Sequence, residues 1–488
     1  MKNIVFNPSI DYNWAYDGAL TCLNEAGQPN WEYQHRLGFV NSWQILGSGW
    51  HSFLTVLPKS EYGAAHPQWY RDEVSTDGNN TQFTTLNLAY NNFEMARFVA
   101  DNIYALILYD ESESNYKSVY AFGPPDIRGW STSDESNAIK SEYGTNSAEY
   151  ILFMNKVAEF LENKSLTRNI KLAMLAYNNV YEAPEYNENL KFYKGLKVSL
   201  GVMIAPIEAN MYRSLSDGTA AGNKFGYMNA YYYNQLMNWK QFGGEIYFWR
   251  YSAYFDNYFV PLDSISNMRE TYRLLAENGV SQYIDLGQVG DETATDWSAL
   301  KIYLKGQLAK TVNADVNTLI EDFCKAYYGA GWENMISLLS AEQSRYKIIS
   351  DMSVSDNDGK DAIGCYVIRD VLFNKKYWDD TPTTIFFTTT FNASMLKNWY
   401  EKITAAITAV NSDASLTNEQ KALFIKRINI EGIAIRYMIL AVYGDTTYDS
   451  SFSVLGTYAK SLGIDIFAEG AAWTSDGEIV DGNIENLA

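Results

Sequence analysis

The sequence predicts an α/β fold: a (β/α)8 TIM barrel followed by a helical C-terminal region. Up to about residue 290, short β-rich apolar runs alternate with stretches of helical period, the pattern of βα units around a parallel sheet. Beyond about Trp332 that alternation stops and helical periodicity takes over. The length of 488 residues suits a barrel, which takes about 250 residues or more as one unit, plus a smaller region. The expected division is a barrel over residues 1–335 and a mostly helical domain over 336–488.

Eight runs read as strands: Asn3 to Phe6, Leu37 to Trp43, His51 to Leu57, Tyr104 to Tyr109, Lys171 to Tyr177, Lys197 to Ala205, Glu245 to Tyr251 and Val280 to Leu286. The fourth, Tyr104-Ala105-Leu106-Ile107-Leu108-Tyr109, is apolar throughout, as strands buried on both faces are. Between them, Tyr150, Phe153, Met154, Val157, Phe160 and Leu161 fall at helical spacing. So do Ile265, Met268, Tyr272 and Leu275, with Ser264 to start that helix and Gly279 to end it. After the eighth strand, helices are expected over Trp297 to Lys310, Val316 to Tyr328, Trp399 to Val410 and about Asn418 to Val442. The last opens on a Thr417/Gln420 capping box. The Gly-, Asp- and Asn-rich tail from Ala471 reads as irregular.

Composition excludes several classes. The chain carries 38 Lys+Arg against 58 Asp+Glu, a net charge of −20, which argues against a nucleic-acid partner because phosphate contact depends on Lys and Arg. Hydrophobic residues make up 47%, with 38 Tyr, 23 Phe and 13 Trp, far too many for a disordered chain. Cys22, Cys324 and Cys365 are too scattered for a disulfide framework or a thiolate metal site. No apolar run approaches the roughly 18 residues of a membrane span. The first residues are no signal peptide, so the expectation is either a cytoplasmic protein or an exported one whose leader is not part of this sequence. The acidic, Trp- and Tyr-rich composition suits an exported bacterial carbohydrate protein. Nothing specifies an oligomeric state.

The chemistry available is that of carboxylates, amides and rings. There is no H-E-x-x-H and no G-x-S-x-G, and Gly218 to Lys224 departs from a phosphate loop at Asn223. The histidines are His35, His51 and His66, so neither a metal nor a cofactor is expected. Active sites of (β/α)8 barrels lie at the C-terminal ends of the strands. There the predicted strands offer Asp110-Glu111, Tyr177, Glu208, Trp249-Arg250, Tyr254 and Asp256, while Trp50 precedes the third strand and His51 opens it. Paired carboxylates with flanking rings are what glycoside cleavage requires, one acid to protonate the leaving oxygen and a second as base, nucleophile or orienter. The expected partner is a carbohydrate. The catalytic candidates are Glu111, Asp110 and Glu208, with Trp50, His51, Tyr177, Trp249, Arg250, Tyr254 and Asp256 binding substrate. A silent glycan-binding barrel and a scaffold are the alternatives. For Arg250 an ion pair with Asp256 or Glu208 competes with recognition of an acidic sugar.

Dispersed motifs carry a resemblance. Trp50-His51-Ser52-Phe53 through His66-Pro67-Gln68-Trp69-Tyr70, Leu172 to Tyr177, Ile246-Tyr247-Phe248-Trp249, Glu277-Asn278-Gly279-Val280 and Leu300 to Leu308 resemble the bacterial family called domain of unknown function (DUF) 4838, over roughly residues 15 to 340. That family is similar to the glycoside hydrolase barrels of α-glucuronidases and β-hexosaminidases. The resemblance implies Glu111 as general acid and Asp110 as the residue orienting a substrate acetamido group. The chain departs from the family where relatives read Asn-Asp after strand four, beside a cysteine-rich cluster, and where Arg250 replaces an Asp.

Overall fold

The computed structural model describes residues 5–6, 43–46, 51–76, 82–114, 116–126, 129–207, 209, 211, 213–216, 226–253, 257–259, 262–288, 295–351, 353–355, 361–363, 391–468, 471–473 and 479–481. In chain order, β1 (Val5–Phe6) and β2 (Trp43–Ile45) precede two short helices, α1 (Phe53–Val56) and α2 (Lys59–Tyr62). A hairpin of β3 (Tyr70–Thr76) and β4 (Gln82–Leu88) follows. Then come α3 (Phe93–Ser112), β5 (Val119–Ala121), α4 (Asp134–Tyr143), α5 (Ser147–Glu162), β6 (Ile170–Ala176), β7 (Val198–Ile204), α6 (Gly226–Trp239), β8 (Glu245–Tyr251), α7 (Met268–Glu277) and β9 (Gln282–Leu286).

Seven of these strands form one sheet in the order β1-β9-β8-β7-β6-β5-β2, parallel at every step. Its two ends are brought together. Trp43 on β2, at one edge, donates its indole N–H to Gln282 on β9 at 2.6 Å and meets the ring of Tyr247 on β8 edge-on at 4.8 Å. In a flat sheet β2 and β9 would stand five spacings apart, roughly 24 Å at about 4.8 Å each. The sheet is therefore rolled, with Trp43, Tyr247 and Gln282 inside. Among the described residues no ladder joins β1 to β2.

The expected strands at Lys171, Lys197, Glu245 and Val280 match β6 to β9 closely, and the first two match β1 and β2 in part. Two others are corrected. The run from His51 to Leu57 holds the short helix α1, whose Phe53 enters a nest of rings, 3.9 Å from Phe122 and 4.9 Å from Tyr90. Tyr104 to Tyr109 is the C-terminal half of the 20-residue helix α3. Its buried residues, Met95, Ala96, Val99, Ala100, Ile103, Ile107 and Asp110, recur every three or four positions, whereas Leu108 and Tyr109 are exposed. That is a helix stripe, and Asn92 caps its start by accepting from the Met95 N–H. The third strand of the rolled sheet, counted in chain order, is instead the three-residue β5.

Beyond β9 the described residues are mostly helical: α8 (Ser298–Lys310), α9 (Val316–Tyr328), α10 (Trp332–Asp351), α11 (Ala393–Ser412), α12 (Asn418–Tyr443) and α13 (Phe452–Ser461), with a small β10/β11 pair (Ser353–Ser355, Asp361–Ile363). The Thr417/Gln420 capping box opens α12 as expected. Position 336 falls within α10. The described residues of the tail are not irregular, since β12 (Ile466–Ala468), β13 (Ala471–Trp473) and β14 (Ile479–Asp481) form an antiparallel sheet.

Trp297 ties this region to the sheet. Both it and Asp296 hold the left-handed backbone conformation that side chains ordinarily avoid. The Trp297 backbone N–H donates to Glu431 on α12 at 2.8 Å and its indole N–H to Glu342 on α10 at 2.7 Å, while Tyr328 donates to Glu431 at 2.9 Å. Lys301 pairs with Asp296 at 2.6 Å, and Asp263 is buried nearby. Burial outweighs these donors, with neighbouring carboxylates adding to it. It pushes Glu431 up to about 7, Asp296 up to about 6 and Glu342 well above the ordinary carboxyl range.

An acid whose pKa is raised by folding adds stability below its unfolded value near 4.5, and that stability is lost as pH rises through the folded value. The depressed pKa of Asp285 acts only at more acidic pH. The expected outcome is a fall in unfolding free energy on the order of 2 kcal/mol between pH 5 and pH 8. Denaturant titration at both pH values measures it, and Glu342→Gln should flatten the dependence.

Candidate functional site

Because the strands are parallel, their C-terminal ends share one rim, and the loops after β2, β5 and β6 meet there. His51, after β2, contacts the Pro124 carbonyl oxygen through Nδ1 at 2.9 Å, and the Phe53 N–H donates to the Gly123 carbonyl. Asp126 ends the Gly123-Pro124-Pro125-Asp126 run that follows β5. Its Oδ2 lies 3.9 Å from His51 Nε2, with both side chains partly open to solvent, at 35% for His51 and 49% for Asp126. After β6, Tyr177 continues the extended strand and Asn178 turns sharply, in the left-handed region that Asn tolerates better than most residues. That turn aims the Asn178 amide at Asp126 Oδ1, 2.7 Å away. The Tyr177 ring stands 5.5 Å from the imidazole. Asn179 donates to the Gly129 carbonyl and so anchors the next part of the same loop.

Rings line the neighbouring part of the rim. Tyr181 packs edge-on against Tyr232 at 5.0 Å and near Tyr231 at 6.0 Å, both from α6, and Trp249 stacks on Tyr251 at 5.9 Å. The Tyr181 hydroxyl is buried and has no hydrogen-bond partner among the described residues. Burial, with Tyr232, Tyr231 and Tyr251 close by, holds its pKa well above the ordinary phenol value.

Strand alternation puts Trp249 and Arg250, adjacent on β8, on opposite faces of the sheet. Trp249 and Tyr251 share the face of Tyr247, which meets Trp43 inside the roll. Arg250 points outward to the helices. It donates to Asp285 Oδ2 at 2.8 Å and to the Ser264 carbonyl. Asp285 also accepts from Tyr272 of α7 at 3.0 Å and from Ser252, and Lys305 of α8 lies 3.5 Å away. Burial alone would raise this carboxyl, but the charges of Arg250 and Lys305 and the hydrogen bonds prevail and hold it below the usual carboxylate range. The ion pair is therefore structural, and its acid is Asp285, in place of the expected Asp256 or Glu208.

Asp110 and Glu111 do not stand at a strand end. They finish α3 at the opposite rim, where the strands begin. Asp110 is buried and accepts from Tyr120 at 2.8 Å; burial raises its pKa, against Tyr120, Lys117 and Arg168. Glu111 accepts from Thr167 at 2.8 Å and from Arg168 at 3.1 Å. Together they fasten α3 to the starts of β5 and β6. A cavity of about 520 Å³ also opens on that rim, lined by Lys171, Lys240, Glu245, Asn278 and Ser281; Lys171 pairs with Glu245 at 2.6 Å and Lys240 donates to the Asn278 side-chain oxygen at 3.0 Å. Trp50, Glu208, Tyr254 and Asp256 lie outside the described residues. Among the described residues no three His, Cys, Asp or Glu are grouped to hold a metal, and no helix is long and apolar enough to cross a membrane.

Of the expected binding residues, the structure thus brings together His51 and Tyr177 and puts Trp249 on the inner face. Sequence reasoning missed Asp126 because β5 is only three residues long. The signal available was Gly-Pro-Pro-Asp directly after Val119-Tyr120-Ala121-Phe122.

The fold and rim define a parallel α/β protein with its polar site at the strand ends. Residues 2–337 match the family described as domain of unknown function DUF4838, and the chain belongs to that family. Among curated proteins none matches the chain. A distantly similar solved structure is a GH138 enzyme targeting pectin rhamnogalacturonan II, 10% identical over 76% of this chain at a TM-score of 0.34. The match takes in 49% of that enzyme, so the chain spans about half its length.

Two expected outcomes separate structural from functional groups. Arg250→Met leaves the buried Asp285 with Lys305 as its remaining cation among the described residues and should cost about 3 kcal/mol in denaturant unfolding. Glu111→Gln weakens a mostly buried ion pair and should cost about 1–3 kcal/mol in the same measurement, with ligand binding unchanged.

Proposed function

We propose that the C-terminal rim is a carbohydrate site and that the chain is a glycoside hydrolase acting on a complex glycan. On this reading the rolled sheet completes an eight-stranded barrel, and two carboxylates, Asp126 and the sequence candidate Glu208, share the general acid and base roles. One observation carries the proposal: a solvent-facing carboxylate held at a strand end by Asn178, beside an imidazole and the Tyr177 ring. A carboxylate fixed by an amide has a defined direction toward substrate, and a ring beside it offers the flat apolar surface on which a pyranose stacks. A silent glycan-binding barrel is the second reading. It is favoured by the placement of Asp110 and Glu111 on the far rim, which removes the best sequence-level acid pair from the site.

A panel of aryl glycosides and polysaccharides, assayed for both binding and release of reducing sugar, decides between the two. Hydrolysis predicts turnover that falls by about 10²–10⁴ in Asp126→Asn and in Glu208→Gln, with binding largely retained. Binding with no turnover in the wild type selects the silent barrel. Absence of both would overturn the carbohydrate reading.

A further inference from the structure

We infer that His51 Nε2 and Asp126 Oδ2 form a seat of two acceptors that takes two adjacent hydroxyls of a neutral sugar; this rests on the carbohydrate reading above. A backbone carbonyl can only accept, so the 2.9 Å contact with Pro124 requires the hydrogen on His51 Nδ1. In the neutral imidazole Nε2 is then a lone-pair acceptor. It faces Asp126 Oδ2 at 3.9 Å, beyond hydrogen-bond length, so the two groups do not close on each other. The other carboxylate oxygen is already held by Asn178 at 2.7 Å, which fixes where Oδ2 points.

Two acceptors side by side at a solvent-facing rim call for two donors side by side. Adjacent ring hydroxyls supply them, one to the imidazole and one to the carboxylate, while the Tyr177 ring 5.5 Å from the imidazole bounds the seat. Other sugar substituents fit worse. An O-methyl or O-acetyl group has no donor, and a sugar carboxylate meets Asp126 within a protein of net charge −20. The pair therefore selects a sugar whose neighbouring hydroxyls are free and uncharged.

The test has one arm without ligand and one with it. Imidazole ¹⁵N shifts of the neutral ring in the wild-type protein should show His51 protonated on Nδ1 and bare on Nε2; the opposite tautomer overturns the seat. In the second arm, the methyl glycosides of galactose, mannose, glucose and rhamnose, with their fully O-methylated counterparts, are titrated against wild type, His51→Phe and Asp126→Asn. Thermal melts confirm that each variant is folded. The seat predicts binding of at least one free glycoside, lost about tenfold or more in each variant and on O-methylation. Equal binding by all three proteins, or of methylated and free forms, overturns the seat and leaves the carbohydrate reading standing. If wild type binds none of these glycosides and nothing in the wider panel, both fall together.

Discussion

The hydrogen bond from Trp43 to Gln282 is the contact on which the rest of the architecture depends. It joins strands that stand five places apart in the sheet order, and that is possible only if the sheet rolls until its ends face one another. Space for it comes from β7: a Cβ on Gly201 would lie 2.6 Å from the Glu245 carbonyl oxygen and 2.9 Å from the Tyr247 ring. Glycine there lets Tyr247 lie across its neighbour and reach Trp43. Rolling has a functional consequence. It gathers the loops after β2, β5 and β6, distant in sequence, so that His51, Asp126 and Asn178 come within reach of one another.

The same roll gives each strand an inner and an outer face, and the charges follow that division. Outside, Arg250, Asp285 and Lys305 are sealed between sheet and helices. One turn away on α8, Lys301 serves Asp296 as Lys305 serves Asp285. Buried charges of this kind are tolerable only when paired and hydrogen-bonded, and here the pairing extends from β8 and β9 through α8 to the loop that ends in Trp297. From Trp297 the load passes to Glu342 and Glu431, where acids outnumber bases and burial favours the protonated form. The helical region is thus attached through groups whose ionisation the fold itself opposes.

How much was legible in the sequence depended on whether one periodicity could be told from another. β6, β7 and β8 read correctly because each is a full-length apolar run set between turns. The Tyr104 to Tyr109 run misled because six consecutive apolar residues are compatible with either a buried strand or a helix, and the deciding evidence lay upstream, in the stripe that begins at Met95 and the cap at Asn92. β5 was too short to register, and with it went Asp126. The β3/β4 hairpin also escaped, since its residues, such as Arg71, Asp72, Glu73 and Thr84, are too polar to resemble a core strand. Trp249 and Arg250 were both expected to bind substrate, and only the third dimension could assign the outer face to arginine.

The two rims of the sheet show why position decides chemistry where composition does not. Both carry carboxylates and tyrosines. On the rim where strands begin, Asp110, Glu111 and Glu245 accept from Tyr120, Arg168, Thr167, Lys171 and Ser281, so each acid is engaged by groups of the protein itself. Such a set holds helices to strands and has little left to offer a ligand. On the opposite rim Asp126 is held through one oxygen only, and the imidazole beside it is anchored through the nitrogen that faces away. Both groups are fixed in direction and still turned toward solvent. A binding site needs side chains that the protein orients without satisfying, and within the described structure that condition is met by His51 and Asp126.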